Sequence, residues 1–310
     1  MPRAEFTVGP DPEEGTRLDV FLVERLTFLT RNQVRKAIDE GGARVGGRAA
    51  KPGHRIRPGD HVVFDYEVPA LEPKLLPEAI PLKIIYKDED VVLIDKPAGL
   101  VVHPGAGHAS GTLANALVHH FPEVALIGSE ERPGIVHRLD KDTSGVMVAA
   151  RSPRAFSELV RQFKTRVVWK TYLGLAWGRV VAPEGRLNWP LGRHPKEGKK
   201  ISIRARSPKK AETFFEVQRV FQETTLLEIR PVTGRTHQIR VHMAAAGHPI
   251  VGDPIYGRKK EGGRYPRLFL HAHTLSFLHP GTGERVTFAS PLPPDLEAVI
   301  ERELEPGVRS

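Results

Sequence analysis

The chain has 310 residues, a length that suggests about two domains and allows a sizeable core. It has no cysteine, which excludes disulfides, thiolate metal sites and cysteine nucleophiles. No apolar run reaches the roughly 20 residues of a membrane span, and the first residues lack the apolar core of a signal peptide. We therefore expect a cytoplasmic globular protein with no membrane partner.

The net charge of +9 and the pI near 9.8 favour a polyanionic partner. Nucleic acid is the first candidate, because no stretch has the pattern of a membrane-anchoring amphipathic helix. The alternative is a basic surface that only aids solubility.

Residues 16–64 have the pattern of a compact module. The stretches "TRLDVFLVERL" and "TRNQVRKAIDEGG" place apolar residues at helical spacing, and the second ends at a glycine pair. The strand-like pieces "ARVGG" and "DHVVFDY" follow. Basic residues are dense here, and the candidate phosphate contacts are Arg17, Arg31, Arg35, Lys36 and Arg44. A solvated basic face is the alternative.

This module resembles a small RNA-binding domain first known from a small-subunit ribosomal protein, the S4-type domain. The resemblance is carried by "RLDVFLVERL", "TRNQVRKAIDEGGARVGG" and "KPGHRIRPGDHV". It implies that the chain binds folded RNA.

Residues 65–81 are rich in proline and have no clear period, so we predict a semi-rigid linker. Residues 82–295 alternate strand-like runs with short turns and fewer helices, and we expect 296–310 to be a C-terminal tail. The pattern predicts an α+β fold with a mixed, largely antiparallel sheet. The strands are predicted at "VVLIDK", "GVMVAA", "TYLGLAW", "TFFEVQRV", "TLLEIRP" and "LFLHAHTLSF", and the helices at "GTLANALVHHF", "SPRAFSELVRQFK" and "THQIRVHMAAAG".

The stretch "GIVHRLDKDTSGVMVAA" places a charged core between two apolar runs. Residues two apart on an extended segment share a face, so Arg138, Asp140 and Asp142 are expected to line one side. A carboxylate among cations stays ionised, and it can attack a sugar carbon or stabilise an oxocarbenium ion. A purely structural cluster of Arg138, Asp140 and Lys141 is the alternative.

A second polar stretch, "TGRTHQIRVH", is predicted to turn a strand into a helix whose N-terminus suits a phosphate. An exposed basic helix is the alternative. Tyr172 begins an apolar strand. It is either a core residue with a satisfied hydroxyl or a platform on which a base stacks.

Other chemistries have weaker support. The histidines of "HAH" and "HQIRVH" are possible metal ligands, but no H-E-x-x-H signature appears. No G-x-S-x-G elbow supports a serine hydrolase, and the glycine-rich loop after "DKPAGLVVHPG" lacks the P-loop lysine. We expect no metal and no cofactor.

Four segments together resemble the RluA-type pseudouridine synthases. They are "DKPAGLVVHPG", "GIVHRLDKDTSGVMVAA", "KTYLGLAWG" and "GRTHQIRVHMAAAGHPIVGD", in the order and spacing of that family. With an S4-type domain in front, the chain resembles the branch that acts on large-subunit ribosomal RNA. The resemblance implies isomerisation of uridine to pseudouridine, by cleavage of the N1–C1′ bond and formation of a C5–C1′ bond, without cofactor or metal.

The resemblance also implies roles for single residues. Asp140 is the essential carboxylate, Arg240 pairs with it, and Tyr172 stacks on the flipped base. Arg138 fills the gap left by that base or grips the adjacent phosphate, and Leu270 forms part of an apolar wall. The further candidate RNA contacts are His103, Lys141, Thr143, Arg235, His237 and Gln238.

Several alternatives stay open at this point. Asp140 either attacks C1′ to form an ester or removes the C2′ proton to give a glycal, and attack on uracil C6 is a less favoured route. Transfer RNA is an alternative substrate, and a non-catalytic ribosome-assembly factor or a metal-dependent nuclease are alternative functions. A monomer is the default, acting on ribosomal RNA or on a precursor of the large subunit.

Overall fold

The computed structural model describes residues 2–10, 16–26, 29, 31–66, 75–105, 107–198, 200–258 and 264–304. Its N-terminal unit is a four-stranded antiparallel sheet, in the order β1-β4-β2-β3, packed against two helices. The elements are β1 (Arg3–Thr7), α1 (Leu18–Arg25), α2 (Arg31–Asp39), β2 (Ala43–Val45), β3 (Arg48–Ala49) and β4 (His61–Asp65).

This unit has a core of its own. Leu18 and Leu22 of α1 and Val34 and Ile38 of α2 pack on Phe64 of β4. Both helices lie where the spacing of apolar residues in the sequence predicts them. The unit begins earlier than residue 16, because β1 pairs with β4 along its whole length.

The larger unit is built on a sheet of nine described strands, in the order β11-β14-β15-β10-β16-β9-β6-β5, with β17 also paired to β16. The described neighbours are antiparallel except β16 and β9, which are parallel. The predicted α+β class with a mixed, largely antiparallel sheet is therefore confirmed. Its strands are β5 (Lys83–Lys87), β6 (Val91–Lys96), β9 (Ser144–Ala150), β10 (Trp169–Trp177), β11 (Glu184–Leu187), β14 (Thr213–Val220), β15 (Thr224–Pro231), β16 (Leu270–Leu278) and β17 (Arg285–Ala289).

The remaining elements lie between or beyond these strands. Two short hairpins pair β7 with β8 and β12 with β13. The helices, the 3₁₀ turn and the hairpin strands are α3 (Leu113–His120), a 3₁₀ turn (Pro122–Leu126), β7 (Gly128–Ser129), β8 (Arg132–Pro133), α4 (Pro153–Thr165), β12 (Gly192–Arg193), β13 (Ile201–Ser202), α5 (Gln238–Ala245) and α6 (Pro294–Leu304).

Strand β9 is buried on both faces, as its continuous apolar run indicates. Met147 and Ala149 face α3, whereas Val146 and Val148 face α4. Helices therefore cover both sides of the sheet next to the charged stretch that precedes β9, which holds the start of that strand in place.

The end of the chain differs from the predicted tail. Helix α6 packs Leu296 and Val299 into a buried cluster, and Glu303 accepts hydrogen bonds from Thr224 and Tyr265. Residues 296–304 are thus part of the packed domain, because the apolar face of this helix covers the sheet. Residues 305–310 lie outside the described residues.

The second half of the predicted linker, from residue 75, is packed against the larger unit. Residues 67–74 lie outside the described residues. Leu75 is buried beside α3, the Asn115 amide donates to the Leu76 carbonyl at 2.8 Å, and the Glu78 carboxylate accepts from the Gly111 amide. The second half of the segment therefore lies against the larger unit.

Candidate active site

The charged stretch forms the loop that connects β8 to β9. Asp140 lies in it just before a turn in which the Thr143 amide donates to the Asp140 carbonyl at 3.2 Å. The loop ends at Gly145, whose φ of +117° is unfavourable for other residues. A Cβ at Gly145 would collide with the Ala272 carbonyl of β16. The glycine thus lets the loop enter the sheet against its neighbour.

Arg240 connects the loop to α5. Its Nη1 donates to Asp140 Oδ2 at 3.2 Å, and its Nε and Nη2 donate to the two oxygens of Asp253 at 2.8 Å each. The Arg240 side chain is only 4% exposed and that of Asp140 is 18% exposed. The two carboxylates raise the pKa of Arg240 above its usual value despite burial. The arginine is therefore permanently charged and fixed in direction.

Asp253 was not predicted from the sequence as a site residue. One of its oxygens also accepts from the Ile255 and Tyr256 amides at 2.9 and 3.0 Å, and the Arg240 ion pair and these amides keep its pKa below the usual value. The sequence signal is the "GDP" turn that follows the helix, where an aspartate commonly binds amides two or three residues on.

Asp140 opens into a cavity of about 470 Å³. This volume lies in the range of small-ligand pockets. Tyr172 of β10 and Leu270 of β16 line it, so the predicted platform and apolar wall meet the loop here. Burial, together with the charge of Asp140, raises the pKa of Tyr172, which stays a neutral phenol.

A smaller cavity of about 290 Å³ lies beside the first and shares Arg138 and Asp140 with it. Arg138 is exposed, and its Nη1 lies 3.5 Å from His103 Nε2. His103 Nδ1 lies 3.0 Å from the Pro104 carbonyl, which can only accept. The Nδ1 atom therefore carries the proton, and Nε2 is the acceptor that faces Arg138.

The three predicted RNA contacts at the start of α5 differ in their exposure to solvent. Arg235 is exposed at the mouth of the large cavity, and His237 is half-buried with its Nδ1 2.9 Å from the Tyr256 hydroxyl. Gln238 is buried, and its amide makes four hydrogen bonds within the protein, two through Oε1 and two through Nε2. The predicted contact by the Gln238 side chain is thus replaced by a role in holding this turn.

Lys141 and Thr143, two further predicted RNA contacts, differ in their exposure to solvent. The Lys141 side chain is exposed, whereas Thr143 is buried in the turn. The Lys141 carbonyl accepts from the Nζ atom of Lys96 at 3.0 Å. Lys96 is fully buried, and its other two donations go to the Pro97 and Leu100 carbonyls. This lysine, which sequence reasoning missed, fastens the active-site loop to the "KPAGL" turn.

Two further cavity residues were not predicted. His137 Nε2 accepts from the Val148 amide at 3.1 Å, and burial lowers the pKa of His137 to about 3. Lys170 lies on the face of β10 that also carries Tyr172, and burial lowers the pKa of Lys170 to about 8. The alternation of "WKTY" is the signal that places Lys170 beside Tyr172.

In the N-terminal unit, Asp19 is fully buried between two predicted RNA contacts. Arg17 Nε lies 2.9 Å from Asp19 Oδ1, and Arg31 Nη2 lies 3.0 Å from Oδ2. Both guanidinium groups are about half exposed. The remaining candidates are on the surface, and they are Arg35, Lys36 and Arg44. Asp19 therefore holds two of the five basic side chains in fixed positions.

Among the described residues, no group of three or more His, Asp or Glu side chains is arranged to hold a metal ion. Within the same ranges, no helix is both long and apolar enough to cross a membrane.

The fold and the loop geometry agree with the comparisons. Residues 90–245 match the RNA pseudouridylate synthase family, and residues 16–62 match the S4 domain. The chain belongs to the RNA pseudouridylate synthase family, in its RluA-type group, and it carries an S4 domain at its N-terminal side. Both resemblances drawn from the sequence are confirmed, and the chain is an RNA pseudouridine synthase.

Particular relatives cover nearly the whole chain. It is 40% identical to YlyB of Bacillus subtilis, described as an uncharacterized RNA pseudouridine synthase, over 97% of this chain and 98% of that protein. It is 41% identical to ribosomal large subunit pseudouridine synthase D of Xanthomonas campestris, over 98% and 93% respectively. The structure of human RNA pseudouridylate synthase domain containing 1 matches with a TM-score of 0.59 and 30% identity, over 71% of this chain and 88% of that one.

Proposed function

We propose that this pseudouridine synthase modifies specific uridines of large-subunit ribosomal RNA and that Asp140 is its essential carboxylate. The observation that carries the second part is the position of Asp140, which lies at the cavity with one oxygen held 3.2 Å from Arg240 Nη1. The first part is supported by the S4 domain and by relatives that are named ribosomal large subunit pseudouridine synthase D.

The reaction requires an anionic oxygen beside C1′ of the target ribose. The Asp140 side chain contacts the Arg240 guanidinium, whose fixed positive charge lies 3.2 Å from Oδ2 and holds the carboxyl group in one orientation. Arg240 binds Oδ2, so the other oxygen is open to the substrate. Nucleophilic attack on C1′ and removal of the C2′ proton both need this ionised group.

The target base has to leave the RNA stack before its glycosidic bond can be reached. Tyr172 and Leu270 supply an aromatic face and an apolar wall for the extruded uracil. A partly closed cavity also retains the uracil after the N1–C1′ bond breaks, so that C5 can rotate towards C1′. We assign Arg138, an exposed residue that lines both cavities, to the gap in the RNA or to the next phosphate.

The S4 domain supplies binding energy away from the reacting base. Its half-exposed Arg17 and Arg31 suit phosphate groups, and guanidinium forks bind phosphate through two donors. We assign Arg35, Lys36 and Arg44 to the same RNA-binding surface. Around the cavity, we assign the exposed or half-buried side chains of Lys141, Arg235 and His237 to contacts with the RNA strand.

The proposal is tested by mapping pseudouridine in ribosomal and transfer RNA from cells that lack the gene. The strain is complemented with wild type or with Asp140→Asn, which keeps the size of the side chain and removes its charge. We expect large-subunit sites to disappear in the deletion and to return only with wild type. Lost sites in transfer RNA alone would move the substrate, and full complementation by Asp140→Asn would overturn the assignment of the carboxylate.

A second measurement separates binding from turnover. Purified Asp140→Asn is expected to bind ribosomal RNA fragments with an affinity within about threefold of wild type and to show no conversion under single-turnover conditions. Conversion by the wild type, together with retained binding and no conversion in the variant, separates an inactivated enzyme from an assembly factor, because an assembly factor would show no conversion in either protein.

A further inference from the structure

Lys170 is a partly buried cation to which the proposed function assigns no role. It lies on β10 two residues before Tyr172, and both side chains line the large cavity. Thr171, between them, points to the other face, where its hydroxyl is 2.7 Å from that of Thr274. Alternate residues of a strand share a face, and Lys170 and Tyr172 both line the cavity although the pairing with β16 is irregular between Thr171 and Tyr172.

The Lys170 ammonium has no counter-charge among the described residues. Within the ranges that the structure describes, it makes no ion pair and no side-chain hydrogen bond. The other buried cations of the site are fully engaged, since Arg240 contacts two carboxylates and Lys96 three carbonyls. Even partial desolvation of an unpaired ammonium is unfavourable, which is a reason to expect a ligand that pairs with it.

The groups around Lys170 add positive charge or none. Lys164 and Arg166 at the end of α4 line the same cavity. His137 stays neutral, because burial and the charge of Lys170 both lower its pKa. Asp140 raises the pKa of Tyr172, whereas burial alone accounts for the lowered pKa of Lys170. The cavity is thus lined by one carboxylate, Asp140, which acts on Tyr172 but does not offset the charge of Lys170.

Spacing along the strand indicates what the cation meets. Same-face neighbours on a strand are about 7 Å apart, which is close to the width of a pyrimidine with its exocyclic oxygens. When uracil stacks on Tyr172 and its C1′ faces Asp140, Lys170 lies at an edge of the base. We propose that the Lys170 ammonium donates a hydrogen bond to a carbonyl oxygen of the extruded uracil and stabilises uracil as a leaving group.

The chemistry explains why a cation helps at this position. When the N1–C1′ bond breaks, its electron pair leaves with uracil, and the negative charge spreads over N1 and the two carbonyl oxygens. The ammonium remains protonated throughout and stabilises this charge in a site that excludes most water. A C5–C1′ bond then forms, the C5 hydrogen departs as a proton and N1 gains one, so no oxidant or reductant is required.

The inference rests on the proposed function of this site, and the first test compares Lys170→Met, Lys170→Arg and the surface control Lys87→Met. Single-turnover conversion at saturating RNA and RNA affinity are measured separately. We expect Lys170→Met to lower the rate by about 10²–10³-fold, as for loss of one donor to a developing anion, with affinity within about threefold. Lys170→Arg is expected to recover part of the rate, and Lys87→Met to match wild type.

A substrate with a better leaving group provides an independent readout. Fluorine at C5 withdraws electrons and stabilises the uracil anion without help from the protein. The rate at which the N-linked nucleoside disappears is measured in RNA that carries 5-fluorouridine at the target. The factor by which Lys170→Met lowers this rate is expected to be at least tenfold smaller than with uridine. Equal defects on both substrates would overturn the inference. The inference would also be overturned if Lys170→Met bound RNA more weakly, with a shallower salt dependence, but converted it at a normal rate at saturation. That result would identify Lys170 as a phosphate contact.

Stability and a parallel variant complete the test. Removal of a partly buried charge that no carboxylate compensates is expected to leave the melting temperature of Lys170→Met equal to or above that of wild type, whereas a merely structural role predicts a decrease. Asp140→Asn is assayed alongside. If Asp140→Asn is inactive and Lys170→Met is normal, only the inference about Lys170 fails; if Asp140→Asn is active, the proposed function fails.

Discussion

Arg240 and Asp253 form a two-bond ion pair in the interior of the protein, with both nitrogen–oxygen distances at 2.8 Å. The Asp253 carboxylate is fully buried, and the remaining guanidinium nitrogen, Nη1, is the one that contacts Asp140. Asp253 therefore decides the direction in which Arg240 presents its charge to the loop.

Asp253→Asn should act through Arg240. Breaking a buried pair costs about 3–5 kcal/mol, and Asp140 still compensates part of the charge, so we expect the free energy of unfolding to fall by about 3 kcal/mol in urea titrations. We also expect single-turnover conversion to fall by about 10–100-fold, with RNA affinity retained. Asp295→Asn is the control, because its pair with Arg267 is partly exposed and should cost less than about 1 kcal/mol. Equal effects of the two variants would contradict this role for Asp253.

His137 should make the protein sensitive to acid. Its folded-state pKa of about 3 lies below the ordinary value of 6.5, so between these values the unfolded chain binds a proton that the folded chain does not. The free energy of unfolding should therefore fall as the pH decreases from 6.5, by up to about 1.4 kcal/mol per pH unit from this group. Urea titrations of wild type and His137→Gln at pH 7, 6 and 5 check this, with a shallower dependence expected for the variant. Parallel curves would remove His137 as the cause.

Asp19 should control how the S4 domain binds RNA. The buried carboxylate fixes Arg17 and Arg31, so Asp19→Asn frees both guanidinium groups and raises the entropy lost on binding. We expect RNA affinity to fall by about tenfold while conversion at saturating RNA is unchanged. Asp65→Asn, which releases the exposed Arg3 of the same unit, is the matched control and should change affinity by less than about twofold. Folding of both variants is verified by thermal melting.

Gly145→Ala should disturb the end of the active-site loop. The φ of +117° is strained for alanine, and the new methyl group would meet the Ala272 carbonyl. We expect a loss of roughly 3 kcal/mol in the free energy of unfolding, together with a loss of conversion. Gly283→Ala has a φ of +75° but open space around it, so it should cost only about 1 kcal/mol. A Gly145→Ala protein as stable as Gly283→Ala would show that β9 and β16 can separate without penalty.

Much of the site was predictable because its chemistry is local in the chain. "HRLDKDTSG" contains Asp140, and the alternation of β10 places Lys170 beside Tyr172. The partners that orient these groups are distant in sequence. Asp253 lies more than a hundred residues from Asp140, and Lys96 reaches the Lys141 carbonyl from a separate strand. The sequence does not distinguish Lys96, which donates to three carbonyls, from Lys170, which has no partner among the described residues.

The α+β class, the positions of the main strands along the chain, the S4 domain and the family were predictable from the sequence, because they follow from apolar periodicity, turn residues and contiguous motifs. Only the folded structure shows that the Gln238 amide is fully hydrogen-bonded within the protein, that α6 belongs to the core, and that Asp253 and Lys96 support the loop. Such assignments depend on which side chains meet across the folded sheet, and hydrogen-bond saturation and burial exist only once those contacts have formed.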